Sequence, residues 1–304
     1  MGGGEEPWVD KGYLTFLAEE SGTFSFTMVS QRTVDNIGSI SYSLDNGKNW
    51  VTLTNDGSTQ QTITTPTVAA GARVIWKGSI KYLGEGRTDN LRRSGFSSTK
   101  KFSAYGNLLS LCWGDDFDTH IDTFISGSTC TFDRLFYESK ITDISGLVFP
   151  KESTDRCYNA MFKGCTSLVN AGTTIYLSTT DTGNRNTATC DSMFYGCSSL
   201  VTVPSLPATT LLRQCYAGMF KNCTSLQAAP LLPALTVSYY GYYLMFNGCS
   251  KLNSVTMYAT NIGATSAVGS MLTGVAAEGT FGKNSAATWT GVVPSGWTIN
   301  YITV

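Results

Sequence analysis

Five methionines set the metre of this chain. Met219 follows Met193 by 26 residues, Met245 follows Met219 by 26, and Met271 follows Met245 by 26. Met193 follows Met161 by 32, six more than the period. Around the methionines the same string returns. It reads Cys157-Tyr-Asn-Ala-Met161-Phe162-Lys-Gly-Cys165-Thr-Ser-Leu168 at its first clear copy. The second copy is Met193-Phe194-Tyr-Gly-Cys197-Ser-Ser-Leu200, and the third runs from Cys215 through Met219-Phe220 and Cys223 to Leu226. The fourth is Met245-Phe246-Asn-Gly-Cys249-Ser-Lys-Leu252. A fixed period of this length marks a solenoid, in which no single unit can bury its apolar side alone. Leu135-Phe136 lies one period upstream, and Met271-Leu-Thr-Gly-Val275 closes the series with Cys and Phe replaced. Degenerate ends are expected where a terminal repeat meets water.

One repeat has a physical reading. Cys215, Met219 and Phe220 sit at i, i+4 and i+5, so they share one face of a short helical turn. Gly164, Gly196, Asn222 and Gly248 then stand at the helix exit, where a left-handed residue is favoured. Leu226, Ala229 and Leu232 carry an extended segment onward, which Pro230 and Pro233 limit to a short edge-like strand.

The pattern Met-Phe-x-Gly-Cys-Thr-Ser-Leu, with Pro-Ser-Leu-Pro-Ala at 204–208, resembles the BspA-type leucine-rich repeat. The resemblance spans about residues 108–275. Tyr13–Phe26, Ser41–Trp50 and the ending Gly279–Phe281 with Pro294–Thr298 also resemble stretches that accompany such repeats. It implies a protein displayed on the surface of gut Bacteroidota, or carried by phages that infect them. Two copies depart from the pattern: Thr189-Cys190 and Gly241-Tyr242 stand where the others have Cys-Tyr. The Cys slot is therefore dispensable, which argues against an obligatory disulfide or metal ladder.

Upstream of the repeats the pattern changes to short alternating runs. Tyr13–Phe16, Thr23–Phe26, Ser39–Leu44, Val74–Trp76 and Lys101-Phe102 read as strands of a β-sandwich. The expected fold is mainly β with short helices (α+β). It comprises a lead at 1–12, a β-sandwich-like domain at 13–106, the solenoid at 107–275 and a cap at 276–304. Ser43-Leu-Asp45-Asn46-Gly47-Lys-Asn49-Trp50 signals a hairpin with Asn-Gly at its tip, and resembles an Asp-box turn. The polar stretch 84–100, with Arg87, Arg92 and Arg93, reads as a solvated loop.

Only 14% of residues are charged and the formal net charge is -1, so neither nucleic acid nor an anionic membrane is an expected partner. A run of about 18 apolar residues, the minimum for a membrane span, is absent. The first seven residues lack the basic and apolar regions of a signal peptide, so the expectation is either a protein used without secretion or one whose export signal has been removed. Nine cysteines, most of them repeat-locked, read as buried free thiols.

Catalytic signals are few. Asp115-Asp116-Phe117-Asp118 precedes the single histidine, His120, and reads as a capping turn rather than an acid–base pair. No phosphate loop, nucleophile elbow or dinucleotide fingerprint is present, so no cofactor or metal is expected. The candidate binding residues lie where the period is broken. These are Thr180, Asp181, Asn184 and Arg185 in the six-residue insertion, and the surplus tyrosines Tyr239, Tyr240 and Tyr243. Tyr242 takes the slot of Tyr158 and Tyr216 and belongs to the core. The sequence thus predicts a non-enzymatic adhesion or structural protein on a phage virion, as a head or tail appendage. Its expected partners are other virion proteins, a host surface protein or glycan, and further copies of itself. An exported bacterial cell-surface adhesin is the alternative, and a glycan-active enzyme a third reading.

Overall fold

The computed structural model describes residues 11–29, 38–56, 60–80, 94–120, 131–153, 155–177 and 188–304. Arg87, Arg92, Arg93, Thr180, Asp181, Asn184 and Arg185 lie outside these residues.

Two sheets form the first part. Strands β1 (Leu14–Ala18), β3 (Ser39–Ser43), β4 (Val51–Thr54), β6 (Arg73–Gly78), β8 (Phe102–Asn107) and β9 (Ile141–Val148) make a six-stranded sheet in the order β4-β3-β6-β1-β8-β9. Strands β2 (Phe24–Val29), β5 (Gln60–Thr64) and β7 (Gly95–Ser98) make a second, ordered β5-β2-β7. Alternation puts Phe24 and Phe26 of β2 inward, with Ser25 and Thr27 outward against Thr64 and Thr62 of β5. The sheets meet through aromatic edges. Phe16 of β1 lies 4.8 Å from Phe96 of β7 and 5.7 Å from Phe24, ring centre to ring centre. Trp76 lies 5.0 Å from Phe96.

The solvated-loop reading of 84–100 fails at its end. Gly95–Ser98 is a strand and Phe96 is buried. One aromatic between Gly and Ser gives almost no alternation, which is why the pattern did not disclose it. The Asn-Gly hairpin is present as expected, joining β3 to β4. Asn46 and Gly47 both take positive φ, 59° and 83°. The Ser43 hydroxyl donates to Asp45 (2.8 Å) and accepts the Gly47 N–H (2.8 Å), while Asp45 accepts from the Asn49 backbone (2.9 Å) and side chain (2.6 Å). These bonds hold the Asp45 carboxyl down at about 2.

After β8 the chain makes a single α-helical turn, α1 (Ser110–Trp113), and a 3₁₀ turn over Gly114–His120. Asp115 is spent there: it accepts from Lys77 Nζ at 2.8 Å and from the Tyr13 hydroxyl. Those bonds, Lys77's first, hold its carboxyl below the ordinary range. His120 stacks on Trp113 at 3.8 Å.

The repeats are built differently from the expected helix. No α-helix lies over Cys157–Cys165, Thr189–Cys197, Cys215–Cys223 or Gly241–Cys249; each is a run of consecutive turns. Hydrogen bonds alternate along it. In the first run the N–H groups of 159, 161, 163 and 165 bond back three residues within the run. Those of 158, 160, 162 and 164 bond to carbonyls of the next repeat, as Phe162 N–H does to Met193 O (2.9 Å). Every fourth residue is left-handed: Arg156, Ala160 and Gly164 in one run, and Tyr240, Leu244 and Gly248 in another. The positive φ expected at Gly164, Gly196, Asn222 and Gly248 is there, but it recurs through the run instead of closing a helix. This geometry turns side chains in by pairs. Cys190 is buried, Asp191 and Ser192 are half-buried, Met193 and Phe194 are buried, and Tyr195 and Gly196 are half-buried.

Stacking then follows from backbone spacing. Phe136, Phe162, Phe194, Phe220 and Phe246 form one column with ring centres 5.3–5.6 Å apart and planes within 5° of parallel. Every repeat-core residue named above, from Cys157, Met161, Phe162, Cys165 and Leu168 to Met245, Phe246, Cys249 and Leu252, is fully buried. The cysteines are more than small apolar filler. Cys165 Sγ donates to Phe136 O (2.9 Å), Cys197 to Phe162 O (3.1 Å), Cys223 to Phe194 O (3.1 Å) and Cys249 to Phe220 O (2.9 Å). Each of these Phe carbonyls also accepts an N–H three residues on, so the thiol of the next repeat fills its second lone pair. The eight described cysteines are free and buried.

The opposite flank of each repeat is extended and makes parallel bridges such as Asn170↔Thr202, Ala228↔Ser254 and Leu232↔Met257. Three parallel strands, β10 (Ser254–Met257), β11 (Gly279–Asn284) and β12 (Trp297–Ile302), continue this flank to the end of the chain.

Candidate binding face

The outward pairs of the turn runs carry the side chains that neighbouring repeats bring together. One column holds the residue that follows each Phe: Lys163, Tyr195, Lys221 and Asn247. Lys163 Nζ lies 4.7 Å from the centre of the Tyr195 ring and Lys221 Nζ lies 5.6 Å from it, so two ammonium groups meet one π-face system. The Asn222 amide donates to the Tyr195 hydroxyl at 3.4 Å. Asp191 stands four residues before Tyr195, and its carboxyl is raised above the usual range by burial. The Ser192 hydroxyl (2.7 Å) and the charges of Arg156 and Lys163 oppose that rise.

A second cluster sits two repeats on. Tyr239 and Tyr240 are 4.4 Å apart at 60°, and Tyr240 and Tyr243 are 4.8 Å apart at 75°. The first pair is tilted and the second is edge-on, the arrangement that aromatic quadrupoles favour. Arg213 of the preceding repeat lies over the Tyr239 ring at 4.4 Å. Tyr243 lies across the following repeat, where a Cβ on Gly269 would come within 3.1 Å of its ring. The three surplus tyrosines are therefore one cluster, each half-buried, while Tyr242 is wholly core, as its slot predicts.

The Tyr195 column was missed at the level of sequence. Its signal was present in the aligned copies, where the residue after Met-Phe reads Lys, Tyr, Lys, Asn. Among the described residues no group of three or more His, Cys, Asp or Glu side chains is placed to hold a metal ion. No helix among them is long and apolar enough to cross a membrane. What the face offers chemically is aromatic surface, ammonium and guanidinium charge, and phenolic hydroxyls.

The chain matches no curated protein and no solved structure. Residues 173–280 match the family model described as BspA type Leucine rich repeat region (6 copies). The match covers the turn runs that carry Tyr195, the Arg213–Tyr239 pair and the tyrosine cluster, so the repeats over 173–280 are of the BspA leucine-rich type.

Proposed function

We propose that the chain is a non-enzymatic adhesion protein whose repeats form a solenoid, capped by the final strands, that presents the tyrosine face to a host-surface component. The observation that carries this reading is the Tyr239–Tyr240–Tyr243 cluster beneath Arg213. It sets rigid, half-exposed aromatic area beside a cation, and such area contacts a partner at low cost in side-chain entropy. We further propose a virion as its setting, in a head or tail appendage. Eight buried free thiols favour assembly in a reducing compartment, as a particle built inside a cell requires. The alternative, an exported bacterial surface adhesin, draws on the same face and on the repeat family.

Replacing Tyr239, Tyr240 and Tyr243 together with Ala tests the face. Attachment of the purified chain to host cells should drop at least tenfold while circular dichroism is unchanged; unaltered attachment rejects the site. Mass spectrometry of purified particles and of cell-envelope fractions separates the two settings.

A further inference from the structure

A separate cavity of about 650 Å³ opens on the extended flank, where the chain enters the third and fourth turn runs. Its volume falls within the roughly 300–1,000 Å³ of small-ligand sites. Leu211, Pro233 and Leu235 form an apolar wall, and Thr209, Thr210, Thr236 and Tyr258 bring hydroxyls to it. Val304 completes the lining, and no side chain in it is charged.

The hydroxyls separate two uses of such a cavity. Ser238, also in the lining, spends its hydroxyl on Leu212 O at 2.7 Å. Thr209, Thr210, Thr236 and Tyr258 spend theirs on no protein group among the described residues. Covering them with an apolar segment would strip water from four donors and acceptors and return nothing. An anionic ligand would lose its hydration against a wall with no cationic side chain. A neutral ring with a C–H face and a hydroxyl edge meets both halves of the lining, the face on Leu211, Pro233 and Leu235 and the edge on the four hydroxyls.

We propose that this cavity binds a neutral saccharide, independently of the tyrosine face. The test is a printed array of neutral and acidic glycans probed with the full chain. The best-retained neutral glycan is then titrated calorimetrically. Tyr258→Phe and Thr236→Val each remove one hydroxyl with little change of shape, and each should weaken that glycan about 3- to 10-fold, the worth of one hydrogen bond. Leu235→Glu, which sets a charge on the apolar wall of a half-open site, should weaken it at least as much. Alanine at Tyr239, Tyr240 and Tyr243 should leave it unchanged. Retention of acidic glycans alone, of no glycan, or of a neutral glycan indifferent to Tyr258→Phe, Thr236→Val and Leu235→Glu overturns the proposal. Loss with the tyrosine variant instead assigns the sugar to the other face and overturns it equally.

Discussion

Phe96 stacks on Phe136 at 5.4 Å, and the Phe96 N–H donates to Leu135 O at 2.8 Å. That is the same pair of contacts by which Phe136 meets the next repeat, through Phe136 N–H to Met161 O (2.9 Å) and the Phe136–Phe162 stack at 5.3 Å. Strand β7 of the N-terminal sheets thus serves as the rung before the first repeat. Gly95 allows the approach, since a Cβ there would lie 3.2 Å from Leu135 O. The two parts share one apolar cluster from Tyr13 to Trp297.

Phe96→Ala should therefore cost about 3–5 kcal/mol, the usual range for emptying a buried aromatic site. The loss should be felt by sheets and repeats together. Urea unfolding followed by tryptophan fluorescence and by far-ultraviolet circular dichroism should give one coincident transition in both proteins. Two separated transitions in the wild type would show that the stack does not couple the parts.

Gly248 and Ser270 should respond with opposite signs. Gly248 has φ 77°, and a Cβ on it would fall 2.2 Å from Asn222 Oδ1. Gly248→Ala should destabilise by more than about 1 kcal/mol, from backbone conformation alone. Ser270 is exposed with φ 52°, so Ser270→Gly should stabilise by up to about 1 kcal/mol. Urea midpoints of the two variants check this.

The repeat thiols should be silent to alkylation until the array opens. Burial pushes Cys165, Cys215 and Cys249 up to about 12, above the ordinary thiol value of about 8.5. A raised folded value means that their contribution to stability is full below about pH 8.5 and is lost as pH rises toward 12. Iodoacetamide labelling at pH 9, read by mass spectrometry, should mark these residues only in denaturant. Cys223→Ala, which deletes the thiol donor to Phe194 O, should lower stability by about 1–2 kcal/mol.

Asp45 should titrate late. Its folded value of about 2 lies below the unfolded value of about 3.9, so the turn's stabilisation is complete above pH 4 and is lost as pH falls through 2. The Asn49 amide shift in a nuclear magnetic resonance titration should follow that low midpoint, and Asn49→Ala should raise it.

Much of this was legible in the residues. The period named the inward positions of every repeat, because a slot that must be apolar in each copy shows itself by recurrence. Self-contained chemistry was legible too: Ser43, Asp45 and Asn49 specify the β3–β4 turn through bonds among themselves. The local conformation of the repeat was harder to read. Inward residues at i and i+4 fit a helix, but they fit equally a run of turns with two residues in and two out. What decides between them is the acceptor to which Phe162 N–H and its equivalents turn, and that partner lies 31 residues away at Met193. Phe96 was hidden for a related reason, since its partner Leu135 is 39 positions on and its neighbours are Gly and Ser. Of the candidate site, the tyrosine cluster could be seen as a surplus over the period. Lys163 and Lys221 could not, because each looks like an ordinary solvated lysine until Tyr195 is set between them.

The alternation of bonds in the turn runs has a consequence for how such a chain can change its length. Two residues in and two out give each run a reading frame of four. An insertion that is not a multiple of four would break the inward pairing of Met and Phe, and one of odd length would also shift each N–H from a neighbour's carbonyl to its own run. The extended flank has no such frame. In the sequence, the six extra residues of the second repeat fall between Thr174, which still bridges Ser205, and Ala188, where the next run begins. New sequence, and with it new specificity, enters this array between its turn runs and leaves their frame intact.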